Sequence, residues 1–275
     1  MGVVAEINRL SIPNSDLWIS EAEFGFRHVK QYCQSCPEGG DVLEVGCGSG
    51  ILLSMLAERF ERLNFSGIEP FGDGFASLAQ LNTFVQESGV TIANCGYENF
   101  SADQAYDLIY CVNVFEHVDD WRHMLGWVSK MLKEGGKFVV LCPNYSFPYE
   151  SHFRIPIFLN KSLTHSVFRK SISKLEEDTD TAGLWNSLNF VKKRDVERYI
   201  RRNDDLSLAL RDDTTIIDDM VDRVSEDEEF RKRQKIIGSI AIGAKKLGLF
   251  EVIKLFRQRL PYMKLEFTRV AHKTD

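Results

Sequence analysis

The stretch Asp41-Val-Leu-Glu-Val-Gly-Cys-Gly-Ser-Gly50 constrains the fold of this 275-residue chain more than any other, because a short apolar run passes directly into three alternating glycines. Val42, Leu43 and Val45 suit a buried parallel strand, and Ile51, Leu52, Met55, Leu56 and Phe60 recur at helical spacing. The glycines therefore occupy a strand-to-helix turn. There Gly46, Gly48 and Gly50 can take positive φ and let backbone approach a ligand at the carboxyl edge of an open α/β sheet.

Spacing narrows the ligand. A dinucleotide loop, G-x-G-x-x-G, would close with glycine where Ile51 stands. Glu44 would repel a pyrophosphate, yet it can attract a cationic amino-acid group. With Cys47 between its glycines, the loop resembles motif I of class I S-adenosylmethionine-dependent methyltransferases. Cofactor residues implied here are Glu44, Gly46, Cys47, Gly48 and Gly50.

Downstream segments extend the likeness. Phe65 to Ile68 reads as a second strand ending in Glu69-Pro70, nineteen residues past Gly50. A carboxylate there can accept hydrogen bonds from both ribose hydroxyls, a device an NAD enzyme would share. A helix is expected over 73–88, with Phe75, Leu78, Leu81 and Val85 on its apolar face, then a third strand at Val90 to Ala93. In Cys95-Gly-Tyr-Glu-Asn-Phe100 the resemblance puts Gly96 where the family keeps an acid, leaving Tyr97 and Glu98 to meet the adenine. Tyr106 to Val118 resembles motif IV, which implies that Val112 and Asn113 line the methionine end. Leu132-Lys-Glu-Gly-Gly136 reads as a helix C-cap before a fifth strand, another family pattern.

The resemblance implies a Rossmann-like α/β fold: a seven-stranded mixed sheet in the order 3-2-1-4-5-7-6, with helices on both faces. One domain is expected over 1–275, with an N-terminal helical cap at 1–39 and a cofactor-binding core at 40–145. Helical insertions at 146–185 and 212–260 would form a substrate cap. The aromatic and proline-rich segment 142–156 reads as a rigid loop over a pocket. Strand six is expected at Leu206 to Leu210, and strand seven at Tyr262 to Val270.

Charge and cysteine content exclude several classes. A net charge of −6 gives no general drive toward nucleic acid. An acidic run over 203–229 faces a basic run over 231–259, which reads as a pair of solvated helices opposing each other. Neither a signal peptide nor a run of roughly 20 apolar residues is present, so a cytoplasmic protein is expected. Six cysteines do not form a disulfide framework in a chain this long, and Cys33-x-x-Cys36 lacks the second pair that zinc would need. The segment 236–260 is amphipathic and basic, so it either packs on the core or makes a peripheral membrane contact. The oligomeric state is not legible.

In methyl transfer from a sulfonium, catalysis is mainly alignment in a dry pocket, with a base wherever an oxygen or nitrogen acceptor must lose its proton. His152 and His117 are the candidate bases, and Tyr145, Tyr149 and Glu150 could orient a small or amphipathic substrate. Ubiquinone-pathway O-methyltransferases hold a divalent metal with Glu-x-x-Glu-His, where this chain has Asn113-x-x-Glu116-His117. Replacing a carboxylate with an amide weakens a hard-cation site, so no metal is expected. Two other readings stand beside the enzyme: a cofactor-binding regulatory module without turnover, and an NAD-dependent oxidoreductase.

Overall fold

The computed structural model describes residues 2–10, 15–70, 81–82, 85, 89–102, 104–179, 181–233 and 235–271. Most of the helix expected over 73–88 lies outside them; Leu81 and Val85 are described and buried.

Chain order starts with helices α1 (Val3–Leu10) and α2 (Ser15–Ser35), then strand β1 (Asp41–Val45), helix α3 (Ile51–Arg59), β2 (Asn64–Ile68) and β3 (Thr91–Ala93). β4 (Tyr106–Val112), α4 (Trp121–Met131) and β5 (Leu132–Pro143) follow. A hairpin of two-residue strands, β6 (Tyr149–Glu150) and β7 (Ile155–Pro156), precedes α5 (Lys161–Thr179), α6 (Leu184–Ser187) and α7 (Lys193–Arg202). The last third carries β8 (Leu208–Asp213), α8 (Ile216–Glu226), α9 (Glu228–Arg233), α10 (Lys235–Lys246), α11 (Phe250–Leu255) and β9 (Tyr262–Arg269).

Seven strands form one sheet in the order β3-β2-β1-β4-β5-β9-β8, and β6 pairs only with β7. With that hairpin left out of the count, the order is the expected 3-2-1-4-5-7-6. β9 runs antiparallel to both neighbours. Alternation along the central strands sends successive side chains to opposite faces. Leu43, Ile109, Val140 and Leu265 join one buried cluster. Val42, Leu108, Val139 and Tyr262 join the other, under α2 and α3.

Two local expectations are corrected. Helix α4 ends at Met131, and the glycines lie inside β5 instead of capping the helix. There the pairing slips between Tyr106↔Leu132 and Leu108↔Lys137. A Cβ on Gly136 would stand 2.8 Å from the Lys133 carbonyl oxygen, and Gly135 has φ +76°, so the pair builds a bulge. Strand six begins two residues later than expected. Asp204–Leu206 forms a 3-10 turn, and Asp212 and Asp213 stay in the strand because the buried Lys193 and Lys264 pair with them. The acidic run is thus partly strand. Its helical portion does oppose the basic one: Asp222 meets Lys245 at 2.5 Å and Asp218 meets Lys254 at 2.7 Å.

Candidate active site

Strands β1, β2 and β4 end on one edge, so the turns that follow them converge. Gly46 and Cys47 donate their N–H groups to the Ile68 carbonyl at 2.8 and 3.1 Å, Glu69 N–H reaches Ala93 at 3.0 Å, and Asn113 N–H reaches Leu141 at 2.8 Å. A cavity of about 1670 Å³ opens along this edge. Drug-sized ligands fill roughly 300–1,000 Å³, so the space admits a cofactor together with a second molecule.

Every residue singled out from the sequence as a cofactor contact or a base lines this cavity, except Gly50. Gly50 shapes the turn from below: at φ +76°, its Cβ would stand 2.8 Å from Val85 and 2.9 Å from Ile92. Gly46 (φ +69°) is equally confined, 2.4 Å from Val114 by the same construction. Gly48 (φ +50°) donates its N–H to Glu69 Oε2 at 2.8 Å, tying the glycine turn to the end of β2.

Two buried carboxylates define the electrostatics of this end. Glu44 accepts from the Tyr110 hydroxyl at 3.0 Å, and burial holds its carboxyl well above the usual range against that bond. Desolvation of this size is relieved by a cationic ligand group. Glu69 is buried beside the turn, and Pro70, Cys47, Val112, Tyr97 and Glu98 complete the walls. Tyr97 is held edge-on by Trp127, with its hydroxyl 3.2 Å from His123 Nδ1. An elongated ligand with a cationic end, a vicinal diol and a flat ring fits this donor set.

The other end holds both histidines. Their rings meet edge to face with centroids 5.3 Å apart. His117 Nδ1 lies 2.8 Å from the Ser187 hydroxyl, and burial depresses its pKa to about 3, so the ring is neutral. His152 Nδ1 lies 2.6 Å from Glu150 Oε1. Burial pulls the His152 pKa down, but the charge and hydrogen bond of Glu150 outweigh it, and the net shift is upward. Glu150 itself is fully buried and does not reach the cavity, where a substrate contact was expected of it. It accepts from the Tyr145 hydroxyl at 3.2 Å and the Phe153 N–H at 2.6 Å, and so fixes the loop that carries His152. Tyr149 does line the cavity.

Glu116, His117 and His152 offer ligand atoms within 4.8 Å of one another, a spacing that could hold a metal ion. Both Glu116 oxygens are buried without a hydrogen-bond partner among the described residues, and burial lifts the carboxyl to about 7. Asn113 stands outside this set. At φ +55° its amide takes the Tyr262 hydroxyl on Oδ1 at 2.5 Å and donates from Nδ2 to Glu21 at 3.2 Å.

The family model of the methyltransferase domain matches residues 21–187, which span the glycine turn, Glu69, the β4 turn and both histidines. The chain belongs to this methyltransferase family. It is a class I S-adenosylmethionine-dependent methyltransferase, and the NAD-dependent oxidoreductase reading falls with that membership. It is 36% identical over 231 residues to the uncharacterized protein Rv1509 of Mycobacterium tuberculosis, covering 82% of this chain and 78% of that one. It is 29% identical to the ubiquinone biosynthesis O-methyltransferase of Hydrogenovibrio crunogenus, covering 66% of this chain and 80% of that enzyme. Two solved structures share the fold. The plantazolicin methyltransferase BpumL in complex with SAH gives a TM-score of 0.52 at 11% identity, covering 98% of this chain and 89% of that one. The geranyl diphosphate C-methyltransferase of Streptomyces coelicolor A3(2) gives 0.53 at 16% identity, covering 98% and 82%.

Sequence reasoning missed the residues that reach this methyltransferase's cavity from outside the core. Glu21 comes from α2, Arg223 from α8 and Tyr262 from β9. Arg223 is buried, pairs with Glu21 at 3.1 Å and Asp227 at 2.9 Å, and lies over the rings of Phe24 and Phe230. The local i,i+4 pair with Asp227 looks like an ordinary surface pair, and the partner that draws Arg223 to the cavity wall, Glu21, stands 202 positions away.

Proposed function

We propose that this enzyme transfers a methyl group to an oxygen or nitrogen of a small or amphipathic molecule, with His152 as the base. The observation that carries the reading is His152 at the cavity wall, held from behind by the buried Glu150. Ionised Glu150 keeps the proton on Nδ1 and leaves Nε2 to accept one from the acceptor. When bound, S-adenosylmethionine supplies an electrophilic methyl on its sulfonium. Glu69 would hold the ribose, Glu44 the amino end, Tyr97 and Glu98 the adenine, and Val112 with Asn113 the methionine chain. His117, neutral and fixed by Ser187, stacks edge-on against the base and helps to orient it. Residues 40–145 form the cofactor core in this reading. The segments 1–39, 146–185 and 212–260 form a cap whose apolar side chains, among them Trp18, Met220 and Val221, exclude water from the transfer.

Labelled cofactor, offered with phenols, catechols, amines, lipids and peptides, tests the proposal. Transfer to an oxygen or nitrogen acceptor that His152→Ala abolishes supports it. Cofactor binding with no transfer to any acceptor would instead favour the regulatory module.

A second reading is favoured by the Glu116 carboxylate, which has no hydrogen bond among the described residues and could share a divalent cation with His117 and His152. The ion would act as a Lewis acid on the acceptor oxygen. Calorimetric titration of the cofactor-free protein with Mg²⁺, Mn²⁺ and Zn²⁺ separates the two. Stoichiometric binding lost in Glu116→Gln supports the metal, and no heat with any of them supports the base alone.

A further inference from the structure

Helices α10 and α11 do two things at once. Gly238, Ala244 and Ile253 line the cavity, while residues of the turn between the helices, of α11 and just after it are apolar and open to solvent. Leu247 is 75% exposed, Leu249 51%, Val252 52%, Leu255 78% and Phe256 64%. Five large apolar side chains within ten residues amount to a patch, which monomeric proteins keep small unless it meets something. The sequence left open whether 236–260 packs on the core or meets a membrane, and the structure divides the segment. Gly238 sits against Val224 of α8, where a Cβ would come within 2.7 Å, so α10 packs inward. Beyond Lys246, Leu247, Leu249, Val252, Leu255 and Phe256 are open to solvent.

Charge identifies the partner. Lys246, Arg257 and Arg259 are exposed around the patch, Lys245 is paired with Asp222, and Glu251, the acid between them, is paired with Lys254 at 2.8 Å. This basic surround stands on a chain whose net charge is −6. Arg259 also lines a second depression of about 370 Å³ with Lys192, Arg194 and Leu159, the last 86% exposed, so the basic and apolar character continues across to the loop before α5. Aliphatic and aromatic side chains ringed by cations match the interface of an anionic bilayer, where the apolar groups enter the acyl boundary and the cations meet headgroups. A second copy of the chain fits worse, because a two-fold contact through this patch would oppose like-charged rims. Helix α11, at six residues, is about 9 Å long against a hydrocarbon core of about 30 Å, so the patch can rest on a membrane and cannot cross it.

We propose that the surface formed by Leu247, Leu249, Val252, Leu255 and Phe256, with Lys246, Arg257 and Arg259, docks on an anionic lipid membrane. Docking there sets the cavity wall at Ile253 and Leu260 beside the bilayer, the direction from which an amphipathic acceptor would enter. The docking does not depend on which atom is methylated or on the role of His152.

Co-sedimentation of the full chain with vesicles tests this without turnover. Phosphatidylcholine vesicles containing phosphatidylglycerol should pellet the protein, pure phosphatidylcholine should pellet far less, and added salt should release it. Leu255→Glu with Phe256→Glu should abolish pelleting, and Arg257→Glu with Arg259→Glu should lower it at least about tenfold. The circular dichroism spectrum and S-adenosylhomocysteine affinity of each variant should match the parent. Absence of pelleting with the anionic vesicles overturns the proposal, as does pelleting that neither pair of substitutions changes. A concentration-dependent dimer dissolved by the Leu255 and Phe256 substitutions would assign the patch to a second copy and overturn it as well.

Discussion

His152 Nδ1 stands 2.6 Å from Glu150 Oε1, and that carboxylate is wholly buried and also holds the Phe153 N–H. The ring is thereby oriented from behind, with its other nitrogen left for chemistry. If it is the base, His152→Ala lowers turnover by about 10²- to 10⁴-fold. S-adenosylhomocysteine affinity, measured by calorimetry, should stay within about twofold, since a base acts on the acceptor and is not a proposed cofactor contact.

Turnover should also carry an acidic limb. Glu150 raises the His152 pKa, so the neutral form is lost as pH falls through a value above that of ordinary histidine. Glu150→Gln removes the charge and moves the limb to lower pH. A limb unmoved by this change, in a variant that still binds cofactor, would sink the assignment of His152.

Glu69→Ala removes the carboxylate proposed to hold the ribose and frees the Gly48 N–H. Charge-assisted bonds contribute about 1.5–3 kcal/mol each, so S-adenosylhomocysteine affinity should fall about tenfold or more. Gly48→Val forces a β-branched residue to φ +50° and should weaken binding comparably. Unchanged calorimetric affinity in both would refute the site.

Arg223 joins α8 to α2 from a buried position. Arg223→Ala removes the buried cation that faces Glu21 and Asp227 and should cost about 3–5 kcal/mol. Lys245→Ala, which breaks an exposed pair with Asp222, should cost under about 1 kcal/mol. Denaturant titration compares the two, and equal losses would show that the buried Arg223 pairs add no more stability than a surface pair.

His28 is buried, and desolvation first, then the charges of Lys264 and Arg27, lowers its pKa to about 4. A group whose folded pKa is depressed this way binds its proton more readily when unfolded. Stability should therefore decline as pH falls from about 6.5 toward 4, and His28→Gln should flatten that decline. Melting temperatures across this window check it.

Much of the core was legible because its signals are local. Alternating glycines, an acid at the end of β2 and runs of Val, Ile and Leu each sit within a few residues of the structure they dictate. The bulge at Gly135 and Gly136 was not, since the same two glycines can end a helix or kink a strand, and only pairing with Tyr106 and Leu108 selects the strand. Asp212 and Asp213 looked like solvated acids until Lys193 and Lys264 were seen beneath them.

By itself the sequence determined the βαβ core, the class of cofactor and the edge of the sheet along which the cavity opens. Tertiary structure decided what meets at the wall of the cavity. It brought Glu150 beneath His152, set Glu116 beside two histidines, and closed the wall with Glu21 and Arg223, 202 positions apart. Contacts over such separations leave no periodicity in the chain, because they depend on how whole helices pack and not on the spacing of neighbours.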